Sequence, residues 1–233
     1  MREIVLDTET TGLDPQDGHR IVEIGAVELY NHVPTGNVYH QYINPIISMP
    51  DQAFAVHGLS DEFLSDQPKF SEIANEFLDF IGSAKLVIHN AAFDIKFINA
   101  ELKNIGKEEI TFDRATDTLA IARKKFPGSP ASLDSLCRRF KIDNSARVVH
   151  GALLDSQILA EVYLELVGGK QPDFALNIAK ANNENSDLLL KNKRVQVRKE
   201  KLKSRLTLEE QDSHKNLIKT LGNSSMWSKI LKP

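Results

Sequence analysis

Four carboxylates and one imidazole stand apart from the pattern around them: Asp7, Glu9, Asp94, Asp155 and His150. Asp7 and Glu9 lie two residues apart at the end of the apolar run Ile4, Val5, Leu6, a spacing that projects both to one face of a strand. Adjacent like charges repel unless a cation sits between them. Alone, the pair also reads as two solvated acids at a strand end, a triplet that composition produces about once in several hundred positions. Asp155 resists that reading. It falls near the middle of the apolar stripe Ile158, Leu159, Val162, Leu166, on a helix expected from Gly151 to Val167. A carboxylate there is expensive unless a cation or hydrogen bonds compensate it. Asp94 lies about 60° from the centre of the stripe Ala91, Ile95, Ile98, Leu102, at the border of a buried helix face. His150 precedes Gly151 in the approach to the last helix, and an imidazole with an ordinary pKa of about 6.5 suits a general base at neutral pH. Together the four acids could form an oxygen cage for two divalent ions, since Mg²⁺ prefers carboxylates and water.

The elements that must position these groups follow from periodicity. Ile4 to Leu6 reads as a buried strand ending abruptly at Asp7, followed by the turn residues Thr10 to Pro15. Arg20 to Tyr30 and Asn37 to Ile43 read as two further strands, which suggests an antiparallel meander. From Asp51 to Gly82 the spacing turns helical, Lys85 to Ile88 returns to strand, and Asn90 opens another helix. A meander followed by alternating helix and strand implies an α/β fold, a mixed sheet with helices packed on it.

With 233 residues, 41% of them hydrophobic and 26% charged, the chain fits one soluble domain plus an extension, which excludes collagen-like, mucin-like and fully disordered classes. No stretch approaches the roughly 20 uncharged apolar residues of a membrane span, and Met1 to Asp7 lacks the build of a secretory signal, so a cytoplasmic protein is expected. The single cysteine, Cys137, allows neither an internal disulfide nor a thiolate cluster, so any metal must be held by oxygen and imidazole. The net charge of -3 conceals an asymmetry. Residues 1–176 carry 16 basic against 26 acidic residues, a net of -10, and residues 177–233 carry 13 against 6, a net of +7. An acidic body does not attract phosphates over distance, so a nucleic-acid substrate would need metal ions or a partner to bring it in.

The segments Asp7-Thr8-Glu9-Thr10-Thr11-Gly12, His89-Asn90-Ala91-Ala92-Phe93-Asp94 and His150-Gly151-Ala152-Leu153-Leu154-Asp155 resemble, in order, the three motifs of the DEDDh exonuclease family. The resemblance covers about residues 1–170 and implies a ribonuclease H-like fold with a flexible C-terminal tail. Within the family, Phe54-Ala55-Val56-His57-Gly58-Leu59 and the C-terminal extension resemble the branch that proofreads for a bacterial replicative polymerase. The family's pattern implies a 3′ to 5′ exonuclease with two divalent ions, Mg²⁺ or Mn²⁺. It assigns Asp7, Glu9 and Asp155 to the first ion, Asp7 also to the second, and Asp94 to the second, partly through water. It makes His150 the general base. Thr11, Gly12, His57 and Phe93 match positions around the terminal nucleotide. Gln52 matches a substrate-contact position where an acid is usual in relatives, a departure from the pattern. His89 either shares in the chemistry or orients its loop as a hydrogen-bonded histidine.

Beyond the motifs, Gln171-Pro172-Asp173-Phe174-Ala175-Leu176 resembles a sliding-clamp-binding motif in which Gln171, Phe174 and Leu176 fill a groove. Residues 177–205 read as a polar, basic linker. Residues 206–233, with the capping-box form Thr207 to Glu210, a short helix through Leu221, and Trp227 as an interface anchor, resemble a segment that binds the polymerase (alpha) subunit, the alternative being a basic tail that contacts nucleic acid directly. The expected partners are a frayed or single-stranded DNA 3′ end, that subunit, a clamp and a small accessory subunit, with no membrane. Two other readings remain: an RNA-trimming exonuclease of the same fold, and a non-catalytic linker between polymerase and clamp.

Overall fold

The computed structural model describes residues 1–145, 147, 149–168 and 206–221. Contacts divide the chain into two units, Met1–Phe174 and Ala175–Pro233, and each is described by itself.

The first unit is organised by β1 (Arg2–Thr10), the middle strand of a five-stranded sheet with order β3-β2-β1-β4-β5. β2 (Ile21–Tyr30) and β3 (Val33–Tyr42) make the antiparallel half, and β4 (Lys85–Ile88) and β5 (Ala115–Asp117) run parallel to β1. The expected mixed sheet forms, with a meander on one side. Alternation along β1 then sorts its side chains between two layers. Ile4 and Leu6 pack with Phe70, Phe77 and Ile98 beneath α3 (Phe70–Ile81) and α4 (Ala91–Asn104). Val5 faces the other way, onto Leu159 and Tyr163 of α7 (Ala152–Val167). Burying a side chain of this size stabilises the fold by about 1.5–3 kcal/mol. A third cluster joins α7 to α5 (Thr118–Lys125) and α6 (Leu133–Phe140) through Ala122, Leu136, Cys137 and Val162.

β1 does not stop at Asp7. It continues to Thr10 because β2 keeps pairing with it, Asp7 opposite Gly25 and Glu9 opposite Glu23, with a bulge only at Glu9/Thr10. Both acids therefore lie within the strand, on one face of it as their two-residue spacing predicts. β3 likewise begins four residues earlier than Asn37. The helical stretch from Asp51 breaks into α1 (Asp51–His57), α2 (Asp61–Ser65) and α3, since Gly58 adopts the left-handed conformation that closes α1, at φ 72°, and Ser60 caps α2. β5, α5 and α6 lack the long periodic pattern that exposes an element in sequence. Among the described residues, no helix is long and apolar enough to cross a membrane.

In the second unit, α8 (Leu208–Leu221) starts with the expected capping box. The Thr207 amide donates to Glu210 Oε2 at 2.8 Å, and the Glu210 amide donates back to Thr207 Oγ1 at 3.2 Å. Gln171, Phe174, Leu176 and Trp227 lie outside the described residues.

Candidate active site

Asp7 and Glu9 share the face of β1 that looks toward α7. Burial raises the Asp7 pKa well above the carboxylate range, and Asp94, Glu9 and Asp155 raise it further, while Arg147 opposes them. Glu9 is pushed up to about 8, again by burial first and then by Asp155 and by Glu23 opposite it. Asp155 is brought here by a close approach of backbones. A Cβ on Gly25 would lie 2.2 Å from the carbonyl carbon of Ala152 and 2.2 Å from the amide nitrogen of Leu153. Only glycine lets the first turn of α7 rest on β2 directly across from Asp7. Ser156 secures the contact, its hydroxyl donating to the Gly25 carbonyl at 2.9 Å. As a result, ligand atoms of Glu9, His150 and Asp155 fall within 4.8 Å of one another.

Asp94 arrives from the opposite layer. Asn90 takes the left-handed conformation at φ 70°, turning the chain from β4 into α4, and Asp94 lies in the first turn, only 3% exposed. The Thr8 hydroxyl, on the α4 face of β1, donates to Asp94 Oδ1 at 2.7 Å. Burial pushes the Asp94 pKa up to about 7, and the Thr8 hydrogen bond pulls it down. His150 stands at the mouth of the cleft, held through its backbone: its amide donates to the Val56 carbonyl of α1 at 3.1 Å. Its Nδ1 lies 3.4 Å from Asp155 Oδ2.

Asp7, Glu9, Asp94, His150 and Asp155 all line one cleft of about 470 Å³, with His89 and Phe93. His89 Nδ1 is 2.9 Å from the Thr118 hydroxyl, so the ring both borders the cleft and braces the loop before α4. Thr11, Gly12, Gln52 and His57 line a neighbouring cleft of about 540 Å³, and Thr8, Glu9 and Phe93 border both. Thr11 is engaged structurally, its hydroxyl accepting the Arg20 amide at 3.0 Å. Gly12 leaves space for the His19 ring, whose atoms a Cβ would meet at 2.4 Å. Burial lowers the His57 pKa.

Several residues of the site escape sequence reasoning. Gly25 carries a faint signal, a glycine inside a strand of apolar residues. Thr8 is hidden within the first motif. Arg147 and Asp134 carry none, yet Arg147 contacts Asp155, His150 and Asp134 at once.

The donor set is chemically suited to a hard divalent cation: clustered carboxylate oxygens and an imidazole, with two of the acids driven toward protonation unless positive charge relieves them. The sequence model of the exonuclease (RNase_T) family matches residues 4–163, which contain all five groups. The chain is 53% identical to DNA polymerase III subunit epsilon of Rickettsia typhi over 221 residues, 94% of this chain and 96% of that protein. The chain belongs to the epsilon-subunit family of exonucleases. A second epsilon subunit, from Escherichia coli, is 56% identical over 176 residues, 72% of each chain. Solved structures of related fold include exonuclease X in complex with 5′ overhanging duplex DNA, 25% identical, with a TM-score of 0.57 over 71% of this chain and 90% of that one. The nuclease domain of a DEDDh 3′ exonuclease bound to rAMP, 20% identical, has a TM-score of 0.60 over 71% of this chain and 91% of that one. The fold is thus ribonuclease H-like, and the DEDDh exonucleases depend on divalent metal.

Proposed function

We infer that this chain is the 3′ to 5′ proofreading exonuclease of a DNA polymerase III, removing terminal nucleotides from DNA as nucleoside monophosphates. The observation that carries the reading is the convergence of Glu9, His150 and Asp155 within 4.8 Å, beside Asp7 and Asp94 in one cleft. Asp7, Glu9 and Asp155 would hold one divalent ion, and Asp7 with Asp94, partly through water, a second. Mg²⁺ and Mn²⁺ suit this oxygen-rich set. Such ions lower the pKa of water and offset charge on the phosphate and the leaving oxygen. His150, exposed at the cleft mouth and fixed by its backbone, takes the proton from the attacking water. Thr8 holds Asp94 in place, and α7 resting on Gly25 holds Asp155. Thr11, Gly12, Gln52, His57 and Phe93 would shape the adjoining cleft around the terminal nucleotide.

The high identity to epsilon subunits over nearly the full chain supports the polymerase III alpha subunit as partner and cytoplasmic replication as the setting. Gln171, Phe174 and Leu176 would dock on the sliding clamp, and residues 206–233, with Trp227 as anchor, on the alpha subunit. A small accessory subunit would complete the assembly. Digestion of matched DNA and RNA oligomers with Mg²⁺, Mn²⁺ or EDTA tests substrate, direction and metal together. Stepwise loss of DNA 3′ ends that stops in EDTA is expected, and activity that survives EDTA contradicts the reading.

A further inference from the structure

Among the described residues Arg147 makes a dense set of polar contacts in the cleft, and the chemistry assigned above does not use it. Its Nε donates to Asp155 Oδ1 at 2.5 Å, and one terminal nitrogen donates to Asp155 Oδ2 at 2.8 Å, so the guanidinium grips both carboxylate oxygens. The same terminal nitrogen lies 2.8 Å from His150 Nδ1, and the other donates to Asp134 Oδ1 at 2.9 Å. A guanidinium has donors and no acceptor, so His150 accepts this bond at Nδ1. The lone pair at that nitrogen is then engaged and cannot take a proton from water.

Arg147 therefore sits on two of the three groups that cluster within 4.8 Å. A divalent ion and a two-pronged guanidinium draw on the same Asp155 oxygens, and two cations in so small a space repel. Asp134 offers a second anchorage. Its side chain is 48% exposed at the cleft rim, and Asn144 also donates to its Oδ1, at 3.0 Å. The Arg147 side chain, by contrast, is only 10% exposed. We propose that Arg147 is a positioning residue that competes with the divalent ion for Asp155 and, when the ion binds, releases Asp155 and is held by Asp134 alone. The same movement frees His150 Nδ1, so that the ion site and the proton acceptor become ready together. The inference rests on the metal-dependent reading of this site.

The test is calorimetric titration of Mn²⁺ into the full-length protein and its Arg147→Met, Arg147→Lys, Asp134→Asn and Asp155→Asn variants. Arg147→Met binds Mn²⁺ about tenfold more tightly than the starting protein, the scale of one charged hydrogen bond no longer competing. Arg147→Lys, which keeps the charge and loses the fork, falls between the two. Asp134→Asn binds about threefold more weakly, because the displaced guanidinium loses its anionic partner. Unchanged or weaker binding by both Arg147 variants overturns the competition. Mn²⁺ binding that survives undiminished in Asp155→Asn, or that is absent from the starting protein, instead overturns the metal site itself.

Discussion

The backbone of Ala152 approaches Gly25 so closely that a single added methyl group would lie 2.2 Å from its carbonyl carbon. Because Gly25 pairs with Asp7 across the sheet, this one contact sets how near Asp155 comes to the acids of β1. Gly25→Ala cannot be relieved by a rotamer change, since the obstacle is backbone. It is expected to cost about 3 kcal/mol of stability, the upper range for overpacking. Turnover should fall more than substrate affinity, because Asp155 moves while the adjoining cleft does not. Chemical denaturation and steady-state kinetics on the purified variant measure both, and native-like turnover would remove α7 placement from the account.

Thr8 and Asp94 provide a second lever. Thr8→Val keeps the shape and removes the hydroxyl that donates to Asp94 Oδ1. That hydrogen bond favours the charged carboxylate, so its loss raises the Asp94 pKa from a value already pushed up to about 7. If the charged form is the active one, the acid limb of the pH–rate profile moves to higher pH in Thr8→Val and stays in place in Thr8→Ser. A limb that moves to lower pH would contradict the assignment.

The raised carboxylates also make stability depend on pH. Glu9 carries a folded-state pKa of about 8 against an ordinary value of 4.5, so the folded state binds more protons than the unfolded state between those limits. Stability must then fall as pH rises through that window and level off above it. Burial lowers the pKa of His57 and His89, which act oppositely only at lower pH, so pH 7 to 8.5 isolates the acids. In EDTA the melting temperature should drop over that interval, and the drop should shrink in Glu9→Gln. Mn²⁺ should stabilise the protein more at pH 8.5 than at pH 7. A melting temperature that rises with pH in EDTA would contradict the charge balance of the site.

A chain ending at Leu176 removes the basic segment of net +7 and keeps every residue of both clefts. Exonuclease activity on short single strands is expected to persist, and binding to the polymerase alpha subunit to disappear, as read by gel filtration of the mixture. Co-elution of the shortened chain with the alpha subunit would refute the role given to residues 206–233.

The clustered acids are legible in the sequence because they interrupt a pattern. Asp155 lies inside an apolar helical stripe, and Asp7 follows three apolar residues, so each is conspicuous where burial of charge is costly. Arg147 interrupts nothing. It follows a short helix in a polar loop, and its importance arises only from where the fold places it. The extent of β1 is hidden for a related reason: the apolar run ends at Leu6 and Thr10 looks like turn material, yet pairing with β2 holds Thr8 to Thr10 in the sheet. The three-residue β5 is too short to show a period, although it carries Asp117, which caps α5 and receives the Asn90 amide at 3.2 Å.

In the proposed reaction His150 moves the proton and the carboxylates hold the ions. This assignment is tested most directly by measuring single-strand DNA hydrolysis and Mn²⁺ binding side by side in His150→Ala and Asp7→Ala. His150→Ala is expected to lose hydrolysis by about 10²-fold or more while still binding Mn²⁺, and Asp7→Ala to lose both. Near-normal turnover by either variant would contradict this assignment.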